Sequence, residues 1–109
     1  MPLEIPLEAP IMLKVETSSP EWITQRIKHY AELYGVSEMT MNIAIKCESS
    51  YNPNAHGDGG LSHGLVQIYA PAHPSITHEQ MHDVEFSLDF LAKNLKEGRG
   101  RMWTCLHNN

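Results

Sequence analysis

Apolar residues recur at helical spacing in three stretches of this chain and lose that spacing between them. After Ser19-Pro20-Glu21, a serine cap with proline in the first turn, Trp22, Ile23, Ile27, Tyr30 and Leu33 return every three or four positions until Gly35. This predicts a first helix. Ser37 can cap a second, in which Met39, Ile43, Ala44 and Cys47 form one stripe and Glu48 falls one helical step past Ala44, at the margin of the buried face. Asp83 can cap a third, with Val84, Leu88, Leu91 and Leu95 in its stripe, Phe86 and Phe90 flanking, and Gly98 ending it. From Asn52 to Gly64 the chain is rich in Asn, Gly, Pro, Asp and Ser. Gly57-Asp58-Gly59-Gly60 is strong turn chemistry between two short extended pieces, which predicts a small hairpin or an irregular loop. Leu65 to Tyr69 reads as a short helix or an extended segment, and Pro71 and Pro74 interrupt the chain after Tyr69. Residues 1–18 alternate apolar side chains with Glu and Pro, which resists helix formation and predicts an extended N-terminal arm. The expected fold is α+β, mainly α, with one domain over 19–109.

The length of 109 residues is consistent with a single core. Hydrophobic residues at 41% and charged residues at 19% are ordinary for a globular domain, and no apolar stretch approaches the ~20 residues of a membrane span. A net charge of -5 offers no attraction to phosphates, which argues against nucleic acid as a partner. Cys47 and Cys105 are the two cysteines, and a bond between them would close most of the domain; the alternative is a pair of reduced, buried thiols. A bonded pair would contribute roughly 4 kcal/mol in the chain-entropy model and place the protein in an oxidising compartment. Met1 to Pro10 carries Glu and Pro where a signal peptide needs a basic start and an apolar run, so no secretion signal is visible. The expectation is an extracytoplasmic protein, of the cell envelope or secreted, that is either trimmed or exported by another route, as a phage-encoded lysis protein would be.

Glu48 is the residue with the most pointed chemistry. A carboxylic acid at the inner end of an amphipathic helix loses hydration, holds its proton near neutral pH, and can protonate a glycosidic oxygen. Three segments surround this reading: Ile43-Ala44-Ile45-Lys46-Cys47-Glu48-Ser49-Ser50-Tyr51-Asn52-Pro53-Asn54-Ala55, then Ser62-His63-Gly64-Leu65-Val66-Gln67-Ile68, then Asp83-Val84-Glu85-Phe86-Ser87-Leu88. Together they resemble the soluble lytic transglycosylase domain, related to goose-type lysozymes, over roughly Trp22 to Trp103. That family has a helix ending in Glu-Ser, a Pro and Ala a few residues on, and then Gly-Leu-Met-Gln-Ile; here Val66 stands where the Met is usual. The Ala-Tyr-Asn motif that many members carry in a later helix is missing, and the cleft wall it forms is absent or replaced.

The resemblance implies a lysozyme-like fold with a small β element after the catalytic helix. It also implies that peptidoglycan glycan strands are the partner, bound by a monomer without cofactor or metal. Glu48 would be the sole acid and base for the β-1,4 bond between N-acetylmuramic acid and N-acetylglucosamine, giving 1,6-anhydro products. Gln67 would line the cleft, with Ser62 from the same segment, while Ser49 would shape the helix end. Tyr51, Tyr69 and His73 would line sugar subsites through their ring faces.

Other readings remain beside this one. A hydrolysing muramidase would need a second carboxylate about 6.5–9.5 Å from the first, and Asp58 is the only acid in the adjoining loop, where it also makes sense as a turn residue. His78-Glu79-Gln80-Met81-His82 is a literal zinc-peptidase pattern, but Pro74 and Asp83 crowd it, and Glu85, Glu97 and His107 are the only candidates for a third ligand further along the chain. A noncatalytic glycan-binding module would keep the loop and aromatics but has no need of Glu48.

Overall fold

Each long helix starts where a side chain accepts a hydrogen bond from the first turn. In the computed structural model, which describes residues 19–107, Ser19 Oγ accepts from Trp22 N at 3.2 Å to open α1 (Pro20–Tyr34). Gly35, at φ 69°, ends it. Ser37 opens α2 (Glu38–Ser49) in the same way through Thr40 N. A reciprocal pair of bonds between Thr77 and Gln80 opens the one-turn α3 (His78–Met81), and Asp83 opens α4 (Val84–Lys96) through Phe86 N at 2.8 Å. A last turn, α5, runs Thr104–His107. The reading of residues 1–18 as an arm lies outside the described residues.

Between α2 and α3 lies an antiparallel sheet in the order β1 (His56–Gly57), β2 (Ser62–His63), β3 (Ile68–Tyr69). Its register pairs His56 with His63 and Gly57 with Ser62, then Ser62 with Tyr69 and His63 with Ile68. The molecule is therefore a mainly helical α+β domain with a small three-stranded sheet.

The core takes Ile23 and Ile27 from α1, Met41, Ala44 and Ile45 from α2, Leu88, Leu91 and Ala92 from α4, and Leu65, Val66 and Ile68 from the sheet region. Two helical stripes differ from expectation. Leu33 is 62% exposed, Ala31 being the residue of that turn that packs inward. In α2, Met39 is 71% exposed and Ile43 and Cys47 also face outward, while Met41, Ala44 and Ile45 are buried. Apolar residues occupy several sides of this helix, so its period is ambiguous until α1 and α5 pack against it. The consequence falls on Glu48, which stands three and four positions after Ile45 and Ala44 and so in line with the buried stripe.

Polar contacts tie α1 to α4. Arg26 donates two hydrogen bonds to the Glu85 carboxylate at 2.7 and 2.8 Å, the Tyr30 hydroxyl donates to it at 2.7 Å, and the Tyr34 hydroxyl donates to Asp89 at 2.5 Å. Burial and the neighbouring Glu85 carboxylate push Tyr30 up to about 12, so it remains a donor. The Arg26 guanidinium holds Glu85 below the usual carboxylate range. Cys47 and Cys105 form a disulfide with Cα atoms 6.3 Å apart, which fastens α5 to the C-terminal turn of α2. Among the described residues, no helix is long and apolar enough to cross a membrane.

Candidate active site

Glu48 sits half-buried in the last turn of α2. Burial raises its carboxyl above the ordinary range, the backbone N–H of Cys105 opposes that rise by bonding the carboxylate, and the charge of Asp58 adds to it. The disulfide therefore has a local effect as well as a global one: Cys105 carries both the sulfur that closes the bond and the N–H that reaches Glu48.

The chain turns sharply after this acid. Ser50 and Tyr51 both take left-handed backbone angles, at φ 52° and 65°, and Asp58 and Gln67 do so at 50° and 52°. Such angles cost about 1–2 kcal/mol in a residue with a side chain. Among the described residues these four are the non-glycine positions of this kind, and all lie between the end of α2 and β3. Clustered strain of this sort is held in place by surrounding contacts and is characteristic of functional sites.

Those contacts are specific. The Ser62 hydroxyl, buried in β2, donates to Asp58 Oδ2 at 2.5 Å and fixes that carboxylate on the hairpin. Gln67 donates from Nε2 to the carbonyls of Gly64 (2.9 Å) and Ala55 (3.2 Å). Its Oε1 lies so close to Gly57 that a Cβ there would stand 2.4 Å away, which explains the absence of a side chain at that position.

Of the residues singled out in the sequence, Gln67, Tyr69 and His73 come together. They line a cleft of about 200 Å³ whose other walls include Phe90, Met102 and Trp103. His73 meets Phe90 edge to face, Phe90 meets Trp103 likewise, and the Trp103 indole N–H donates to the Val66 carbonyl at 2.8 Å. Ser49 Oγ bonds back to the Ile45 carbonyl within the helix end, and the Tyr51 hydroxyl donates to Asn42 Oδ1 at 2.9 Å. Glu48 and Asp58 are not among the walls of this cleft. Gln67 links it to their surroundings, since its side chain also closes on Gly57, the neighbour of Asp58.

Helical periodicity does not mark Phe90 and Trp103 as cleft residues, because a helix-flanking aromatic and a terminal Trp read equally well as core. A second group also emerges only in the folded chain. His56, His63 and His82 bring one nitrogen each within 4.8 Å of one another, and His78 stacks on His63 with ring centroids 4.4 Å apart. Burial, and then the rings of His78, His56 and His82, hold His63 below its ordinary range. A signal for part of this exists in the sequence: residues 56 and 63 are equidistant from the Gly59-Gly60 step, so a hairpin turning there sets them opposite each other. In the pattern His78-Glu79-Gln80-Met81-His82, only the second histidine joins the converging nitrogens, and Glu79 is exposed.

No family model matches this chain, and no curated protein or solved structure matches it either.

Proposed function

We propose that this domain is a lysozyme-like peptidoglycan lytic transglycosylase with Glu48 as its single acid and base. The observation that carries the reading is the half-buried Glu48 carboxyl, raised by burial and by Asp58 and touched by one backbone donor. Burial biases such an acid toward its protonated form, the form that can give a proton to a glycosidic oxygen. The aromatic cleft with Gln67, Tyr69 and His73 supplies flat apolar faces next to polar groups, the surface that pyranose rings pack on.

The reaction follows from one carboxyl group. Glu48 gives its proton to the leaving oxygen of N-acetylglucosamine while the muramic acid N-acetyl oxygen attacks C1 and the C1–O4 bond breaks. The Glu48 carboxylate then takes the proton of the C6 hydroxyl as O6 attacks C1 and displaces the N-acetyl oxygen. The product is a 1,6-anhydro ring, and the acid is restored. A disulfide beside the acid agrees with work in an oxidising compartment such as the cell envelope.

One observation favours a second reading, hydrolysis. Asp58 is close enough to Glu48 for its charge to be felt, and Ser62 fixes its carboxylate, so it could activate a water as the base of an inverting muramidase. Mass spectrometry of purified peptidoglycan digests separates the two. Anhydro products one water lighter than hydrolysed ones, retained in Asp58→Asn and lost in Glu48→Gln, are expected. Reducing-end products that vanish with Asp58→Asn would make the enzyme a muramidase, and no glycan products from the folded wild type would end the reading.

A further inference from the structure

We infer that the histidine patch formed by β1, β2 and the residue after α3 is a binding site for a divalent transition metal of the zinc class, with His56, His63 and His82 as ligands. Four of the seven histidines of the chain meet there, from three separate segments. Imidazole nitrogens are the donors that zinc, nickel and copper prefer over oxygen-seeking magnesium or calcium.

The geometry is close to what an ion needs. Zinc–nitrogen bonds of about 2.0–2.1 Å in a tetrahedron hold neighbouring nitrogens about 3.3–3.4 Å apart. His63 Nδ1 and His82 Nε2 stand 3.2 Å apart. The third nitrogen, on His56, lies within 4.8 Å of both, and that ring is exposed, so a small side-chain rotation completes the set. Three nitrogens leave one tetrahedral position for water.

Two further features are independent of those distances. His82 Nδ1 faces the Pro53 carbonyl at 2.8 Å, and a backbone acceptor there holds the proton on Nδ1 and leaves Nε2 unprotonated, its lone pair turned toward His63 Nδ1, where an ion would take the place of the shared proton; the bond from Nδ1 is the outer contact that metal-bound histidines characteristically make. The ligands also differ in access: His63 is buried at the back, His82 is half-buried, and His56 stands exposed at the mouth, so an ion has an entry path. His78 lies on the face of the His63 ring as an outer wall and is not one of the converging donors.

Strand alternation sets this site apart from the acid. His56 and His63 pair on one side of the hairpin, whereas Gly57 and Ser62, whose hydroxyl holds Asp58, pair on the other. An ion would clasp β1 and β2 to the turn between α3 and α4 while leaving Glu48 untouched. The inference therefore stands independently of the glycan reading.

The test is titration of untagged protein with zinc chloride, followed by calorimetry and thermal melting, with magnesium chloride as control. One equivalent of zinc bound, a raised melting temperature with zinc and none with magnesium, and the visible absorption of four-coordinate cobalt(II) on substitution are expected. Exposed His56→Gln keeps the fold and should weaken zinc at least about tenfold. His82→Gln should abolish saturable binding, and His29→Gln, on α1 and outside the converging group, should leave it unchanged. Glu48→Gln should bind zinc as the wild type does, which keeps this outcome separate from loss of glycan cleavage. Absence of saturable zinc binding, or binding undiminished in both His56→Gln and His82→Gln, would overturn the site.

Discussion

The helical side of the molecule and the hairpin side solve opposite problems. On the α1–α4 side, apolar residues at helical spacing fill the core, and the polar groups between the helices are matched: Arg26 and Tyr30 both reach Glu85, and Tyr34 reaches Asp89. Left-handed backbone angles there fall on glycines past the helix ends, Gly35 and Gly98. On the hairpin side, strands are two residues long, four non-glycine residues take left-handed angles, and a half-buried acid and a group of histidines sit within a small region. Regular helix packing characterises the first region and strained backbone the second, the division expected between a scaffold and a site it holds.

Substitutions can break this contrast, and the largest effect belongs to the acid. Under the proposed function, Glu48→Gln should lower cleavage of peptidoglycan by about 10²–10⁴-fold with a retained circular dichroism spectrum, because an amide cannot cycle a proton. Removal of the disulfide by Cys47→Ser with Cys105→Ser comes next. Closing a loop with a sequence separation of 58 is worth about 4 kcal/mol, so denaturant midpoints should fall accordingly. Gly64→Ala tests how tightly the hairpin side is packed. At φ 87° its new Cβ would lie 1.9 Å from the Met81 carbonyl, and a loss of about 3 kcal/mol is expected by chemical denaturation.

Two smaller effects read the contrast by pH, with opposite signs. Glu85 has a lowered folded-state pKa because of Arg26, so its stabilisation is present above the unfolded value and disappears as pH falls through the folded one. Glu85→Gln should cost about 1 kcal/mol at pH 7, since the pair is partly exposed and screened, with the gap to wild type closing in acid. Glu48 has a raised folded-state pKa, so the unfolded chain releases its proton first and stability declines as pH rises from the unfolded value through the folded one. Glu48→Gln should therefore melt at or above the wild-type temperature at pH 7, with the advantage gone at pH values below the unfolded pKa. A variant less stable than wild type at pH 7 would show that Glu48 supports the fold.

The scaffold is largely legible in the sequence because its signals are local. Ser19, Ser37 and Asp83 mark helix starts, Gly35 and Gly98 sit past helix ends, and Gly57 to Gly60 turns a hairpin, each through the backbone demands of its own neighbours. The bond between Cys47 and Cys105 is one of two alternatives that the sequence leaves open, and it is formed. What stays hidden depends on residues far apart in the chain. The buried side of α2 is chosen by α1 and α5, so Met39 and Ile43 look like core in the sequence and are not. The bond from the Tyr51 hydroxyl to Asn42 Oδ1, back onto α2, has no marker in the sequence. The left-handed turn at Gln67 has no local marker, and the approach of His82 to His63 depends on where α3 docks.

The four left-handed residues carry a consequence for how this sequence can drift. At Ser50, Tyr51, Asp58 and Gln67 the backbone restricts the alphabet before any chemistry is considered: glycine, asparagine and aspartate fit, while valine, isoleucine and threonine carry a branched Cβ into the clash. A library randomised at these positions and sorted only for folding should return the first group and lose the second. Sorted instead for the proposed glycan cleavage, the same library should narrow further at any of these positions that the chemistry needs, so that the demands of the backbone and those of the proposed site become separable position by position.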